Sequence, residues 1–345
     1  MTISVCLSTL FAFSACEDNN TINEEYTNDS FMFLKTNEIE ANSSTRYFTD
    51  YDQIAQELEK IISLDIEDLI AYEDSIGVIS FGRASEELYY SIINNLESTS
   101  RIPDSVTMFN IIYGYVNQYT NYLELIQKDG EYHFNPKLGN NPWRYVVGVN
   151  QICQIGDSVL YKIFDKGIVY SSIENLTNLV NLREQDLENI ETSTFFTYYP
   201  CFHVNYNNIE AGNLGWTVYA ENFSTNRKDK LEVTADMAMV FCYQTTSPYY
   251  GKYLFSGGVL FKPKHKTLGI YFISKRTIIT DIKVNYYIAN AGYLTKKDKY
   301  TTPSPVWKRT IGLEQSGKYY NSSIAYFTST SGTVKISTVT VNFNN

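Results

Sequence analysis

With 345 residues, 43% hydrophobic, 15% aromatic and 19% charged, the chain can bury one large core or two ordinary ones, and it is too poor in charge for a disordered polymer. The net charge of −10 is unevenly held: residues 17–200 carry 30 acids against 11 bases, and residues 201–345 carry 8 against 17. That division predicts two regions with different surfaces.

The stretch Ile3 to Phe13 is apolar but short of the roughly 20 residues a membrane span needs. It fits the apolar region of a secretory signal peptide. Phe13-Ser14-Ala15-Cys16 resembles a bacterial lipobox, which implies cleavage before Cys16, a lipidated Cys16 thiol and stable anchoring to a membrane. Two features depart from that pattern. Phe13 stands where leucine is usual, and no lysine or arginine precedes the apolar run, which predicts a true start codon further upstream. Glu17-Asp18, followed by Asn19-Asn20, resembles the acidic export signal of Bacteroidota lipoproteins and implies an outer-membrane, cell-surface address. The expected organisation is a signal peptide over 1–15, a flexible tether over 16–48, a helical module with a β-meander over 49–192 and a β-rich module over 193–345. Of five cysteines, Cys6 leaves with the signal and Cys16 takes lipid. Cys153, Cys201 and Cys242 then allow one disulfide between any two, or three buried thiols.

From Thr49 the period is helical. DYDQIAQELEKII puts Ile54, Leu58, Ile61 and Ile62 on one face, with Thr49 or Asp50 as cap. A second helix ends at Gly77, and SEELYYSIINNLES makes a third. After Pro103-Asp104 the spacing predicts one long helix through SVTMFNIIYGYVNQYTNYLELIQ. Beyond Pro142 the period becomes two: RYVVGV, QICQI and SVLYKIF read as a meander with tight turns at Gly156-Asp157 and at Asp165-Lys166-Gly167. Asn150-Gln151-Ile152-Cys153-Gln154-Ile155-Gly156-Asp157 with Tyr161 resembles the hairpin core of an uncharacterised set of Bacteroides surface lipoproteins. The resemblance covers roughly residues 50–290 and implies a helical part before the hairpin and a β-rich part after it. It carries no activity. ENLTNLVNLREQDLENI then predicts one more helix.

From Thr194 onward, strand patterns separated by Gly, Asn, Ser, Pro and Lys clusters predict an antiparallel β-sandwich-like module, so the fold class is α+β. Twelve bases lie between Lys252 and Arg309, against only Asp281 and Asp298. Lys262, Lys264 and Lys266 around Pro263, and Lys296, Lys297 and Lys299 before a proline-rich turn, are expected on loops. There they either complement the acidic helices or bind a glycan or other polyanion. Nucleic acid is not expected at an extracellular address.

Catalytic patterns are missing from the sequence. His133, His203 and His265 are far apart and lie in no zinc-binding frame; Cys201-Phe202-His203 supplies at most half a metal site. There is no Gly-x-Ser-x-Gly elbow and no phosphate-cradling Gly-x-x-x-x-Gly-Lys. Neither metal nor cofactor is expected. The leading expectation is a non-catalytic surface binding or adhesion protein, with a carboxylate-using glycoside hydrolase and a structural subunit of an envelope assembly as alternatives. Tyr249, Tyr250, Tyr253, Tyr286, Tyr287, Tyr319 and Tyr320 are candidate contacts in aggregate, about half of them expected to face inward on alternating strands. Trp216 and Trp307 are suited to sugar stacking or, more simply, to burial.

Overall fold

The computed structural model describes residues 45–344 except 62–63, 65, 99–101, 103, 129, 139–141, 193–194, 201, 204–214, 226–228, 243–246, 323 and 337–338. The expected signal peptide, most of the expected tether, Cys16, Glu17, Asp18 and Cys201 lie outside the described residues. A short strand β1 (Arg46–Phe48) leads into α1 (Tyr51–Ile61). Asp50 caps that helix by accepting the N–H of Gln53 at 2.9 Å, and Tyr51, Ile54, Ala55, Leu58 and Ile61 form its buried stripe. Then come α2 (Ile66–Ile76), which stops at Gly77 with φ of 67°, and α3 (Phe81–Ser98), which starts four residues before the predicted Ser85.

The helix α4 (Ser105–Gln118) is capped by Asp104, whose carboxylate accepts Thr107 N–H at 2.8 Å. It ends nine residues before the predicted Gln127. Tyr119 leaves the helical conformation, and the chain continues as β2 (Leu123–Lys128), turning at Gly130 into β3 (Glu131–Pro136). A 3-10 turn (Pro142–Tyr145) replaces the first predicted meander strand. The other two predicted strands are present as β4 (Ile152–Ile155) and β5 (Val159–Phe164), and the turn after them leads into a further strand not predicted from the sequence, β6 (Gly167–Ser172). Tyr161 of the hairpin is buried, with its hydroxyl 2.7 Å from that of Tyr51.

The predicted helix over Glu174–Ile190 is broken. A 3-10 turn (Ile173–Asn175) and α5 (Leu176–Asn181) are followed by extended backbone at Leu182 and another 3-10 segment (Glu184–Thr192). The cause is Lys162. Its buried ammonium donates to the carbonyls of Leu179, Val180 and Leu182 at 2.9, 2.8 and 2.8 Å, which takes up acceptors a continuing helix would use.

The remaining strands are β7 (Phe196–Pro200), β8 (Phe202–His203), β9 (Gly215–Thr225), β10 (Asp229–Phe241), β11 (Tyr253–Thr267), β12 (Ile270–Ile273), β13 (Ile279–Ile288), β14 (Gly292–Thr301), β15 (Arg309–Gly312), β16 (Tyr319–Tyr320), β17 (Ala325–Lys335) and β18 (Thr340–Asn344). They make three sheets: β1-β4-β5-β6-β7; β2-β3-β12-β11-β10-β9-β8 with β15 and β16 beside β11; and β14-β13-β17-β18. Pairing is antiparallel except at β1–β4, β3–β12 and β8–β9. The nine-stranded and four-stranded sheets pack face to face on one core, in which Val233, Phe255, Val259 and Phe261 meet Ile282, Val284, Tyr286, Phe327 and Val334. The fold is α+β, with the C-terminal half mostly β. No helix among the described residues is long and apolar enough to cross a membrane.

Candidate ligand-binding face

The six lysines singled out in the sequence are not on loops. Lys262, Lys264 and Lys266 belong to β11, and Lys296, Lys297 and Lys299 to β14. Nor do they form one surface. Lys262 and Lys264 point into the protein, where they join Lys230 and His133 around Glu232, each of the five at most 6% exposed. Glu232 receives Lys264 at 2.9 Å, Lys230 at 3.5 Å, His133 at 3.8 Å and Lys262 at 4.0 Å. Burial alone would raise this carboxyl. The Lys264 and Lys262 charges outweigh it and hold Glu232 far below the ordinary carboxylate range. Lys266 is half-buried and pairs with Glu131 at 2.8 Å.

Alternation along β14 divides the other three. Lys296, with Asp298 and Tyr300, lines a cleft of about 730 Å³ between the α1–α2 region and the chain from Thr302 to Ser316. Two of the charges that line it, Asp298 and Lys308, are held in ion pairs. Arg309 grips Asp298 through two bonds of 2.7 Å, and Lys308 meets Glu86 at 2.6 Å, with Arg144 on the same Glu86 oxygen. Burial works to raise Asp298, but Arg309 and the Thr280 hydroxyl hold its carboxyl below the usual range.

Lys297 and Lys299 sit on the opposite side of the strand, on the solvent face of the four-stranded sheet. Register fixes what stands beside them. On β13 the outward residues are Asp281, Lys283, Asn285 and Tyr287; their β14 partners are Lys299, Lys297, Thr295 and Tyr293. Across on β17, Ser329 opposes Asn285 and Tyr326 opposes Tyr287, with a bulge at Thr328 keeping both outward. Three rows result. Tyr326, Tyr287 and Tyr293 make an aromatic ladder with ring centroids 5.0 and 5.1 Å apart, and Tyr293 is 76% exposed. Next is a hydrogen-bonded row: Thr295 donates to Asn285 at 2.8 Å, and Asn285 donates to Ser329 at 2.7 Å. Beyond it, Lys283 faces Lys297, both exposed and neither with a carboxylate at ion-pair distance among the described residues. Lys299 pairs with Asp281 at 3.2 Å further along.

Of the candidate tyrosines, only Tyr287 belongs to this face. Tyr286 is buried and donates its hydroxyl to the Glu314 carbonyl, Tyr249 stacks on Tyr319 at 3.8 Å, Tyr320 is buried, Tyr253 packs on the core, and Tyr250 is exposed. Trp307 is buried against Tyr90, and the side chain of Trp216 lies outside the described residues. Sequence reasoning missed Tyr293, Tyr326 and Lys283. The alternation of TIITDIKVNYYI carries the signal for Lys283, but Tyr293 and Tyr326 depend on register. Cys153 and Cys242 are buried free thiols, and no three His, Cys, Asp or Glu side chains gather as metal ligands among the described residues.

No family model matches this sequence, and no curated protein matches it. Among solved structures the chain is similar to the crystal structure of a DUF4848 family protein from Bacteroides thetaiotaomicron, with 10% identity, covering 86% of this chain and 93% of that one, at a TM-score of 0.30. So loose a superposition transfers neither chemistry nor fold.

Proposed function

We propose that this chain is a non-catalytic binding protein, held at the outer-membrane surface by lipid on Cys16, that takes a glycan or other polyanion on the outer face of its four-stranded sheet. The observation that supports the reading is the exposed Lys283–Lys297 pair beside the tyrosine ladder. Like charges directly opposite across strands destabilise a sheet, and an anionic ligand relieves that repulsion. In the cleft, Asp298 is held by Arg309 through two bonds, which takes this carboxylate out of proton transfer.

The test is retention on heparin resin across a salt gradient, comparing the parent with the doubly substituted Lys283→Gln, Lys297→Gln protein. Earlier elution of the variant supports the reading, and unchanged elution overturns it. Protease shaving of intact cells, with Cys16→Ala and with Glu17 and Asp18 replaced by alanine, tests the address separately. A wild-type protein that resists shaving refutes surface display.

A further inference from the structure

The rows on the outer face are spaced along the strands as well as across them. Tyr287 and Lys283 are four residues apart on β13, as are Tyr293 and Lys297 on β14, a separation of about 13 Å at the usual strand rise. Between them lies the Thr295–Asn285–Ser329 row of amide and hydroxyl groups. Each row suits a different chemical group. Tyrosine rings offer apolar faces and hydroxyls, which match the two-sided character of a pyranose. Amides and hydroxyls match sugar hydroxyls. Unpaired ammoniums match a sulfate or carboxylate through charge-assisted bonds. A neutral glycan leaves the lysines uncompensated, and a plain polyanion makes no use of the ladder.

We infer that the occupant is an acidic oligosaccharide lying along β13 and β14, with one sugar ring on Tyr293, Tyr287 and Tyr326 and an anionic substituent on Lys283 and Lys297. This rests on the reading of the outer face as the binding surface. The spacing of about 13 Å sets a minimum length on the order of three sugar rings. Sulfated and uronic-acid chains share the required chemistry.

Calorimetric titration of the full chain tests this, using a sulfated hexasaccharide, a uronate hexasaccharide, a neutral hexasaccharide and a sulfated disaccharide. Tyr293→Ala and Lys297→Gln are both at exposed positions, and near-UV circular dichroism checks that each stays folded. At least one acidic hexasaccharide is expected to bind, to lose about tenfold in affinity with either substitution, and to exceed the disaccharide by about tenfold. Binding of only the sulfated or only the uronate chain supports the inference and names the source of the charge. If Lys297→Gln weakens binding and Tyr293→Ala does not, the face is a plain polyanion patch and the inference fails while the binding reading stands. Equal affinity for neutral and acidic hexasaccharides also overturns the inference, because the lysines then contribute nothing, and leaves a face that binds glycan without regard to charge. If no probe binds, or neither substitution matters, the binding reading falls and takes the inference with it.

Discussion

Lys264 Nζ lies 2.9 Å from Glu232 Oε2, and both residues are sealed from solvent between β10 and β11. Lys230 and Lys262 share the same carboxylate, so Glu232 is the charge on which three buried ammoniums converge. Removing one side of a buried ion pair strands the other, and Glu232→Gln is expected to cost roughly 3–5 kcal/mol. Urea unfolding measures it, and a loss below about 1 kcal/mol would refute the account. Because the folded carboxyl titrates lower than the unfolded one, its contribution is present above the unfolded value and disappears as pH falls through the folded one. The parent should therefore lose stability steeply in acid, and the variant should lose less.

Glu124 behaves in the opposite sense. Its folded carboxyl, at about 7, holds a proton more tightly than the ordinary value of 4.5. The contribution is full below the unfolded value and is lost as pH rises through about 7. Relative to the parent, Glu124→Gln should be more stable at pH 8 than at pH 5 by roughly 1–3 kcal/mol. Equal gaps at the two pH values would contradict this.

Burial pushes the thiols of Cys153 and Cys242 up to about 12. Since the thiolate is the reactive form, neither should be alkylated in the native protein at pH 8, and both should react after unfolding. Peptide-resolved mass spectrometry reads the two sites separately. Native labelling of either would show that it is not sealed.

Gly332 lies mid-strand on β17 with φ of 110°, and a Cβ there would come 2.1 Å from the carbonyl oxygen of Asp281. Gly332→Ala must therefore move β17 off β13, beside Lys283. A loss of about 3 kcal/mol or more is expected from the clash and the strained backbone together. A thermal midpoint equal to that of the parent would mean that the strands part without cost.

The legible parts of the fold were those where local pattern and tertiary context agree. In β13, buried Ile282, Val284, Tyr286 and Ile288 alternate with outward Asp281, Lys283, Asn285 and Tyr287, as strand spacing requires. The misread parts have identifiable causes. Tyr119 to Gln127 carries no glycine or proline, so nothing local marks where α4 yields to β2. Lysine-rich KKDK is a poor strand former, and β14 exists because β13 supplies ten consecutive partners. Pro263 flanked by lysines looks like a turn; what buries Lys262 and Lys264 is Glu232, brought beside them by β10 from thirty residues earlier in the chain. Of the candidate site, Lys297, Lys299 and Tyr287 were visible in the sequence. Their row partners were not, since a cross-strand neighbour is decided by register and by the bulge at Thr328.

The pairing of β3 with β12 constrains the order in which the protein is made. β12 joins β3 to β11, and across it the side chains of His133 and Lys264 meet at 3.3 Å although 131 positions separate them in the chain. The hairpin of β2 and β3 emerges early from the ribosome and has to wait for residues beyond 270 before its second edge is covered. During that interval the edge stays open to wrong partners, so β3 is an aggregation-prone strand until β12 arrives.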